Sequence, residues 1–137
     1  MSDNLSKFQF KGYRVRKSLI ELQEESNLDN LKIGFKVSGV VNKNNNLFLL
    51  NLSVKVTNNE NDLQIEVETV GEYKFEEFDD SKEISNFFYI NASAILFPYI
   101  RAYISTLTNL SGNISIILPT MNLTNLADDL KLNTKVI

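Results

Sequence analysis

Carboxylates are the side chains in this sequence whose pairing could serve catalysis or metal binding. Glu66 and Glu68 share one face of a predicted strand, while Asp79-Asp80 and Asp128-Asp129 are neighbours along the chain. Such pairs act as general acid and base, or bind Ca²⁺, when a rigid pocket brings them together. None of them has the spacing or the supporting glycine of a calcium loop. We therefore interpret them as solvated or partner-facing surface.

The other groups needed for enzymatic chemistry are missing or badly spaced. The sequence contains no Cys and no His, which excludes thiolate zinc sites, cysteine nucleophiles and the commonest general base. The glycines are too far apart for a phosphate-binding loop, and Lys17-Ser18 and Ser81-Lys82 are adjacent instead of catalytically spaced. The composition predicts a protein that is not an enzyme, with no catalytic residue, metal or cofactor.

Length and charge bound the class of protein. A chain of 137 residues predicts a single domain, 1–137, with flexible ends at 1–7 and about 132–137. The net charge of −3 argues against a nucleic-acid binder. The apolar stretch 87–103 is interrupted by polar residues and too short for membrane insertion. Residues 1–30 show no secretory signal, so we expect a cytoplasmic location.

The first predicted strand, at 8–22, changes the parity of its apolar residues twice. Phe8 and Phe10 are followed by Tyr13 and Val15, and later by Ile20. Since side chains alternate between the faces of a strand, each change requires a bulge, a twist or a break. Gly12 suits the first change, and the second lies near Ser18.

Three further stretches alternate apolar and polar residues, at 31–38, 48–56 and 63–69. Such alternation is typical of strands with one buried face. Their connections, 42–46 and 58–62, are short and rich in Asn, which tolerates the left-handed conformation of tight turns. We predict an antiparallel meander.

Helical periodicity replaces the strand pattern after Phe75. Asp79-Asp80-Ser81 resembles a helix N-terminus, Pro98 predicts a kink or a split, and Gly112 is a plausible stop. Asn122 or Thr124 starts a last short helix. Together the elements predict an α+β fold: a four-stranded antiparallel sheet, then a long Pro-kinked or split helix and a short C-terminal helix, with the helices on one face.

Aromatic residues are concentrated in the predicted helical region. Six lie within 17 residues: Phe87, Phe88, Tyr89, Phe97, Tyr99 and Tyr103. They either pack a helix on the sheet or form an apolar interface with another subunit. A chain of this size with four apolar-faced strands has limited means of covering them, so oligomerisation is one way to complete its core.

The segment Ala94-Ile95-Leu96-Phe97-Pro98-Tyr99-Ile100-Arg101 resembles the Leu-Phe-Pro-Tyr-Ala-Arg helix motif of SecB, the protein-export chaperone family. The extended stretch Ile116–Pro119 and the sequence Met121-Asn122-Leu123 before the last helix are also similar to that family. The motif covers about Ile90 to Leu126, and the order of elements covers nearly the whole chain. The resemblance implies a SecB-like fold.

The resemblance also implies a function. It implies an ATP-independent holdase that binds unfolded preproteins in apolar grooves, keeps them translocation-competent and assembles as a homotetramer, a dimer of dimers. The implied groove lies between the loop after the first strand and the last helix, and its residues are Leu28, Leu31, Leu123, Leu126 and Leu130. The implied oligomer interface is the helical stripe Leu96, Ile100, Tyr103 and Leu107.

The predicted partners include the translocase motor. The resemblance implies an acidic contact with the motor on the sheet, where Glu66 stands, but the first strand carries Arg14, Arg16 and Lys17 instead of acids. Related chains also serve as chaperones for one client, such as an antitoxin or a mobile-element protein. This dedicated role is the first alternative.

A second alternative belongs to another class of function. An α+β sheet wrapped by helices can enclose a small-molecule pocket, as cystatin-like domains do. In that case Tyr73, Tyr99 and Tyr103 would supply polar groups to an apolar cavity.

Overall fold

The fold consists of a five-stranded sheet, one long helix and a short C-terminal helix, as seen in a computed structural model that describes residues 8–23, 25–76 and 84–137. The elements in chain order are β1 (Phe8–Leu22), β2 (Lys32–Asn42), β3 (Leu47–Thr57), β4 (Leu63–Phe75), α1 (Asn86–Leu110), a 3-10 turn (Thr124–Leu126), α2 (Ala127–Leu132) and β5 (Thr134–Val136). The predicted loose segment 1–7 and the predicted helix cap at 79–81 lie outside the described residues.

The sheet is mixed, which corrects the prediction of four antiparallel strands. Its order is β1-β4-β3-β2-β5, and the first four strands are antiparallel as predicted. β5 adds a parallel strand beside β2, from within the stretch expected to be a flexible end. Three residues are too few to show an alternating pattern, so the sequence offers no periodicity from which to predict this strand.

The irregularities of β1 lie where the parity changes predict them. Its pairing with β4 shifts between Phe10 and Gly12 and again between Val15 and Lys17. Gly12 has a φ angle of 127°, a backbone conformation that residues with a side chain rarely adopt. Because of the two bulges, the apolar residues on both sides of them face the same side of the sheet.

The turns of the meander use asparagine as predicted. Asn46 and Asn61, in the β2–β3 and β3–β4 turns, have φ 55 and φ 56. Asn30 before β2 has φ 58. All three are left-handed, a conformation that Asn adopts at lower cost than most residues.

The long helix is continuous through its proline. α1 begins after Ser85, whose side chain accepts a hydrogen bond from the Phe88 amide, and contains Pro98 in its interior. Pro98 cannot donate to the carbonyl of Ala94, but both residues are exposed. Water can therefore satisfy that carbonyl, and the helix is not split at Pro98.

The hydrophobic core lies between one sheet face and α1. Residues alternate between buried and half-buried along β3 and β4, which shows that one face is covered. Phe88 on α1 sits at the centre, with its ring edge-on to those of Phe48 and Tyr73. This aromatic cluster fixes α1 on the sheet and so determines which residues of α1 face solvent.

Candidate functional site

A polar stripe on α1 holds the extended segment that follows the helix. Arg101 donates from Nε to the Leu118 carbonyl at 2.6 Å, and Ser105 shares a hydrogen bond of 2.8 Å with Ser115. Thr108, fully buried, accepts from the Ile116 amide at 2.9 Å and donates to the Ile104 carbonyl. These residues therefore clamp the segment Ser115–Leu118 onto the helix.

Burial alternates along the clamped segment from Ile116 to Leu118, and Ile114 before it is also exposed. Ile116 and Leu118 are buried, whereas Ile114 is 74% and Ile117 is 67% exposed. Leu110, at the end of α1, is 81% exposed. The clamp thus holds Ile117 at the surface, and Leu110 and Ile114 are two further large exposed apolar side chains close to it in sequence.

The loop between β1 and β2 is positioned by a buried amide. Asn58, 2% exposed, donates to the Asn27 carbonyl at 3.3 Å and also to the Asp62 carboxylate. Ser26 donates to the Asp62 carbonyl at 3.0 Å. These bonds tie the loop to the β3–β4 turn and so fix the backbone immediately before Leu28.

The five predicted groove residues lie on one apolar cluster but differ in accessibility. Leu28 and Leu31 are half-buried. The three from the C-terminal end are buried within the chain: Leu123, Leu126 and Leu130. The loop side therefore leaves accessible apolar surface, whereas the three C-terminal leucines are part of the core. That these residues bind a polypeptide stays a prediction.

Other apolar residues lie half-buried against the same cluster. Ile33 and Phe35 on β2, together with Met121 and Ala127, are partly accessible there. The Phe35 ring lies edge-on to that of Phe97, with 5.6 Å between centroids. The alternating sequence pattern of β2 predicts that Ile33 and Phe35 face the core. The pattern gives no signal that both side chains stay partly accessible, as they are in the structure.

The predicted oligomer stripe is divided between core and surface. Leu96 and Ile100 are fully buried, while Tyr103 and Leu107 are half-buried. The Tyr103 hydroxyl shares a hydrogen bond with Ser18 of β1. Since Leu96 and Ile100 pack inside the chain, they offer no accessible side-chain surface, and the role of this stripe in assembly stays a prediction.

The accessible face of α1 carries a different apolar set. Phe87, Ile90 and Tyr99 are exposed. The Tyr99 ring lies 5.1 Å from that of Tyr13 on β1, which is also exposed. Phe87 likewise lies beside Phe8 of β1, with 6.3 Å between ring centroids. Within the described residues, Tyr13, Phe87 and Tyr99 thus leave exposed aromatic surface along the β1–α1 contact, here called the β1–α1 aromatic face.

The tyrosines of the small-molecule alternative do not converge. The Tyr73 hydroxyl donates to the Ala92 carbonyl inside the core, and burial raises the pKa of Tyr73. Tyr99 is exposed at the β1–α1 aromatic face, and Tyr103 is bonded to Ser18. An open depression of about 800 Å³ is lined by other residues, mostly polar, including Arg16, Lys36 and Glu68.

Glu66, the predicted translocase contact, already has a partner. Its carboxylate lies 3.4 Å from the Lys17 ammonium on β1, and both side chains are partly exposed. The pairing of Leu19 and Lys55 with Glu66 places it on the sheet face opposite the core. An incoming cation would have to compete with Lys17 for this carboxylate.

The described residues form neither a membrane span of the helical kind nor a metal site. Over these residues, no helix combines the length and hydrophobicity that a membrane crossing requires. Within the same ranges, no group of three or more His, Cys, Asp or Glu side chains is arranged to hold a metal ion.

Comparison with known proteins supplies the family. The model of the family described as preprotein translocase subunit SecB matches residues 17–131. This chain belongs to the SecB family. The match includes the helix motif around Pro98, the clamped segment and the C-terminal leucines.

The SecB-like fold is also found in a solved structure. The SecB-like chaperone Rv1957 of Mycobacterium tuberculosis, solved with a ChAD peptide from the Rv1956 HigA1 antitoxin, matches with a TM-score of 0.69 and 13% identity, over 84% of this chain and 90% of that chain. A protein of unknown function from Streptococcus agalactiae matches with a TM-score of 0.43 and 9% identity, over 82% of this chain and 97% of that one. A comparison with curated proteins finds no match. The fold of this SecB-family chain is SecB-like.

Proposed function

We propose that this SecB-family chain is an ATP-independent holdase that binds unfolded preproteins through apolar surface and keeps them competent for translocation. The observation that carries this proposal is the number of large apolar side chains left exposed on a folded chain. They are Tyr13, Phe87, Ile90, Tyr99, Leu110, Ile114, Ile117, Leu132, Val136 and Ile137. Membership of the SecB family supports the same function.

The chemistry of such binding is removal of apolar surface from water, with no covalent step. The hydrophobic effect is non-directional and grows with buried area, so it selects unfolded chains over folded ones without reading a sequence. Leu28 and Leu31 are placed at the margin of the apolar cluster, where they would contact an extended client. Buried Leu123, Leu126 and Leu130 would hold the opposite wall in place.

A dedicated client is the second candidate, and one observation favours it. The M. tuberculosis chaperone with the same fold was solved with an antitoxin peptide. In this chain, the pairing of Glu66 with Lys17 leaves the predicted translocase contact partly neutralised. Capture of one dominant protein by the tagged chain, together with weak suppression of general aggregation, would favour the dedicated role.

We also propose that the chain acts in the cytoplasm as a dimer of dimers. The exposed β1–α1 aromatic face gives a physical reason for self-association, because large apolar patches on single chains are usually covered by a partner. Light scattering should give four times the 15.6 kDa mass of the chain. A mass of one chain at micromolar concentration would contradict the assembly.

The holdase proposal is tested by suppression of aggregation. A chemically denatured model protein is diluted into buffer without nucleotide, and we expect the chain to prevent light scattering at near-stoichiometric ratios. The double variant Ile114→Ser/Ile117→Ser should suppress less, because it removes exposed apolar surface. The matched control Thr106→Ser/Thr120→Ser changes exposed polar positions and should act as the original chain. Failure of the folded original chain to suppress aggregation would contradict the proposal.

A further inference from the structure

The short strand β5 is attached to β2 through main-chain hydrogen bonds. The Gly39 amide donates to the Asn133 carbonyl at 3.1 Å, and the Ile137 amide donates to the Val41 carbonyl at 2.9 Å. The Asn133 side-chain amide adds a bond of 3.3 Å to the Val37 carbonyl. In the parallel register that these bonds define, the Lys135 amide faces the Gly39 carbonyl.

The side chains of this segment contribute little burial. Leu132, Val136 and Ile137 are exposed, each by 60% or more. Thr134 is half-buried and donates to the Leu130 carbonyl at 2.6 Å. A strand held by a few main-chain bonds with little apolar burial belongs to the least stable parts of a fold. β5 is therefore the element of the sheet that can detach at lowest cost.

Gly39 determines which side chain can lie opposite it. A Cβ at this position would fall 2.4 Å from a Phe48 ring atom and 2.9 Å from the Thr134 hydroxyl oxygen. The glycine thus leaves room for a small hydroxyl-bearing side chain from the neighbouring strand. Thr134, Lys135 and Val136 give the order found at this edge: a small half-buried residue on the core side, a polar residue on the opposite side and an exposed β-branched residue.

The remainder of the β2 edge has no strand partner within the described residues. β5 pairs with Gly39, Val40 and Val41 only, and within the described residues no strand pairs with the outer edge of β2 from Lys32 to Ser38. Half-buried Leu31, Ile33 and Phe35 lie along this part. The outer edge of β2 therefore has two parts. Its first part has no strand partner and lies beside apolar side chains, and its second part is paired with β5.

We propose that β5 is an intramolecular occupant of a polypeptide-binding edge on β2. An extended client segment with a small residue, a polar residue and a β-branched residue in succession displaces β5 and runs parallel to β2. This inference rests on the proposed function, since it assigns that function a second binding surface and a competitor. While β5 is docked, the edge is closed, so the apparent affinity for clients is lowered in proportion to the docked fraction.

The test uses a peptide that copies the strand. The probe is the fluorescein-labelled peptide Leu-Asn-Thr-Lys-Val-Ile, titrated by anisotropy against four proteins: the intact chain, a chain ending at Asn133, Lys135→Pro and Lys135→Ala. Lys135→Pro removes the amide that faces Gly39, while Lys135→Ala removes the same charge and keeps the amide. We expect the peptide to bind the chain ending at Asn133 and Lys135→Pro at least about tenfold more tightly than the intact chain and Lys135→Ala.

Hydrogen exchange provides the second readout. The Val41 amide, which lies opposite Val136, should exchange faster in the chain ending at Asn133 and in Lys135→Pro, the two open proteins, and the peptide should restore its protection. The same peptide with Pro in place of Lys should neither bind nor protect. Equal binding to all four proteins, or no binding to the two open ones, would overturn the inference.

Aggregation suppression separates this inference from the proposed function. Suppression by the intact chain, without peptide binding to the open proteins, overturns the β2-edge inference alone. Peptide binding confined to the open proteins, without suppression by any of them, supports the edge and contradicts the holdase. If the open proteins suppress aggregation more strongly than Lys135→Ala does, the result supports both the β2-edge inference and the holdase function.

Discussion

The core under α1 and the C-terminal segment 111–137 use apolar residues in opposite ways. In the core, the Phe88 ring lies 4.9 Å from that of Phe8 and 4.6 Å from that of Phe48, and Phe88 has no exposed surface. In the C-terminal segment, hydrogen bonds from the α1 clamp and the β2 edge hold the backbone. Large side chains such as Ile117 stay in water.

The difference shows how one chain can be stable and still have apolar surface for other molecules. Side-chain packing on the sheet supplies most of the stability. In the C-terminal segment, buried residues such as Ile116 and Leu130 join that core, while main-chain and hydroxyl bonds hold residues such as Ile117 at the surface. Changes in the core should therefore lower the free energy of unfolding. Changes to exposed residues of the C-terminal segment should lower client binding at constant stability.

The largest expected effect comes from the centre of the core. Phe88→Ala removes a fully buried ring and should lower the free energy of unfolding by about 4 kcal/mol, measured by urea denaturation. The matched change Phe87→Ala, at a residue that is 62% exposed, should cost less than about 1 kcal/mol. Equal losses for the two neighbours would contradict the described rotation of α1.

The alternation of the clamped segment gives the next effect. Ile116→Ala, at a buried residue, should lower the free energy of unfolding by about 3 kcal/mol. Ile117→Ala, at its exposed neighbour, should change it by less than about 0.5 kcal/mol and weaken suppression of aggregation. If Ile117→Ala is as effective a holdase as the original chain, this segment does not contact clients.

The Thr108 clamp should contribute less. Thr108→Val keeps the shape of the side chain but leaves the Ile116 amide without its acceptor, and should lower the free energy of unfolding by about 2 kcal/mol. Thr106→Val, at an exposed position of the same helix, serves as the control. Faster amide exchange at Ile116 in the Thr108 variant alone would identify the clamp as the cause.

The smallest effect is expected at the N-terminus of α1. Ser85→Ala removes the side-chain acceptor of the Phe88 amide, a contact of 3.4 Å, and should lower the free energy of unfolding by about 1 kcal/mol. Ser85→Asp keeps an acceptor and should restore the stability of the original chain. Identical denaturation midpoints for Ala and Asp would show that Ser85 does not act as a cap.

Much of the sheet could be predicted because strand periodicity records which face is buried. The parity changes around Gly12 and near Ser18 predict both bulges of β1, and the Asn-rich connections predict the turns. β5 could not be predicted, because three residues attached by main-chain bonds leave no periodic pattern. For this reason the sequence predicts an antiparallel sheet, whereas the sheet of the structure is mixed.

The candidate site was harder to predict, because sequence alone does not separate buried from accessible leucine. Spacing places Leu96, Ile100, Tyr103 and Leu107 on one stripe, but the buried face of α1 continues from Ile100 to Ile104 and Thr108. The cause is tertiary: Thr108 and the residues beside it hold the segment 115–118. The polar stripe of α1, formed by Arg101, Ser105 and Thr108, therefore contacts the segment 115–118 instead of facing solvent.

The most direct test of the account is a binding titration with a permanently unfolded polypeptide. Calorimetry with a reduced and carboxymethylated model protein, in the absence of nucleotide, should give micromolar or tighter binding and a negative heat-capacity change, as burial of apolar surface requires. The native form of the same model protein should not bind. No binding of the unfolded form by a properly folded chain, or equal binding of both forms, would contradict the claim that this chain uses its exposed apolar residues to hold non-native proteins.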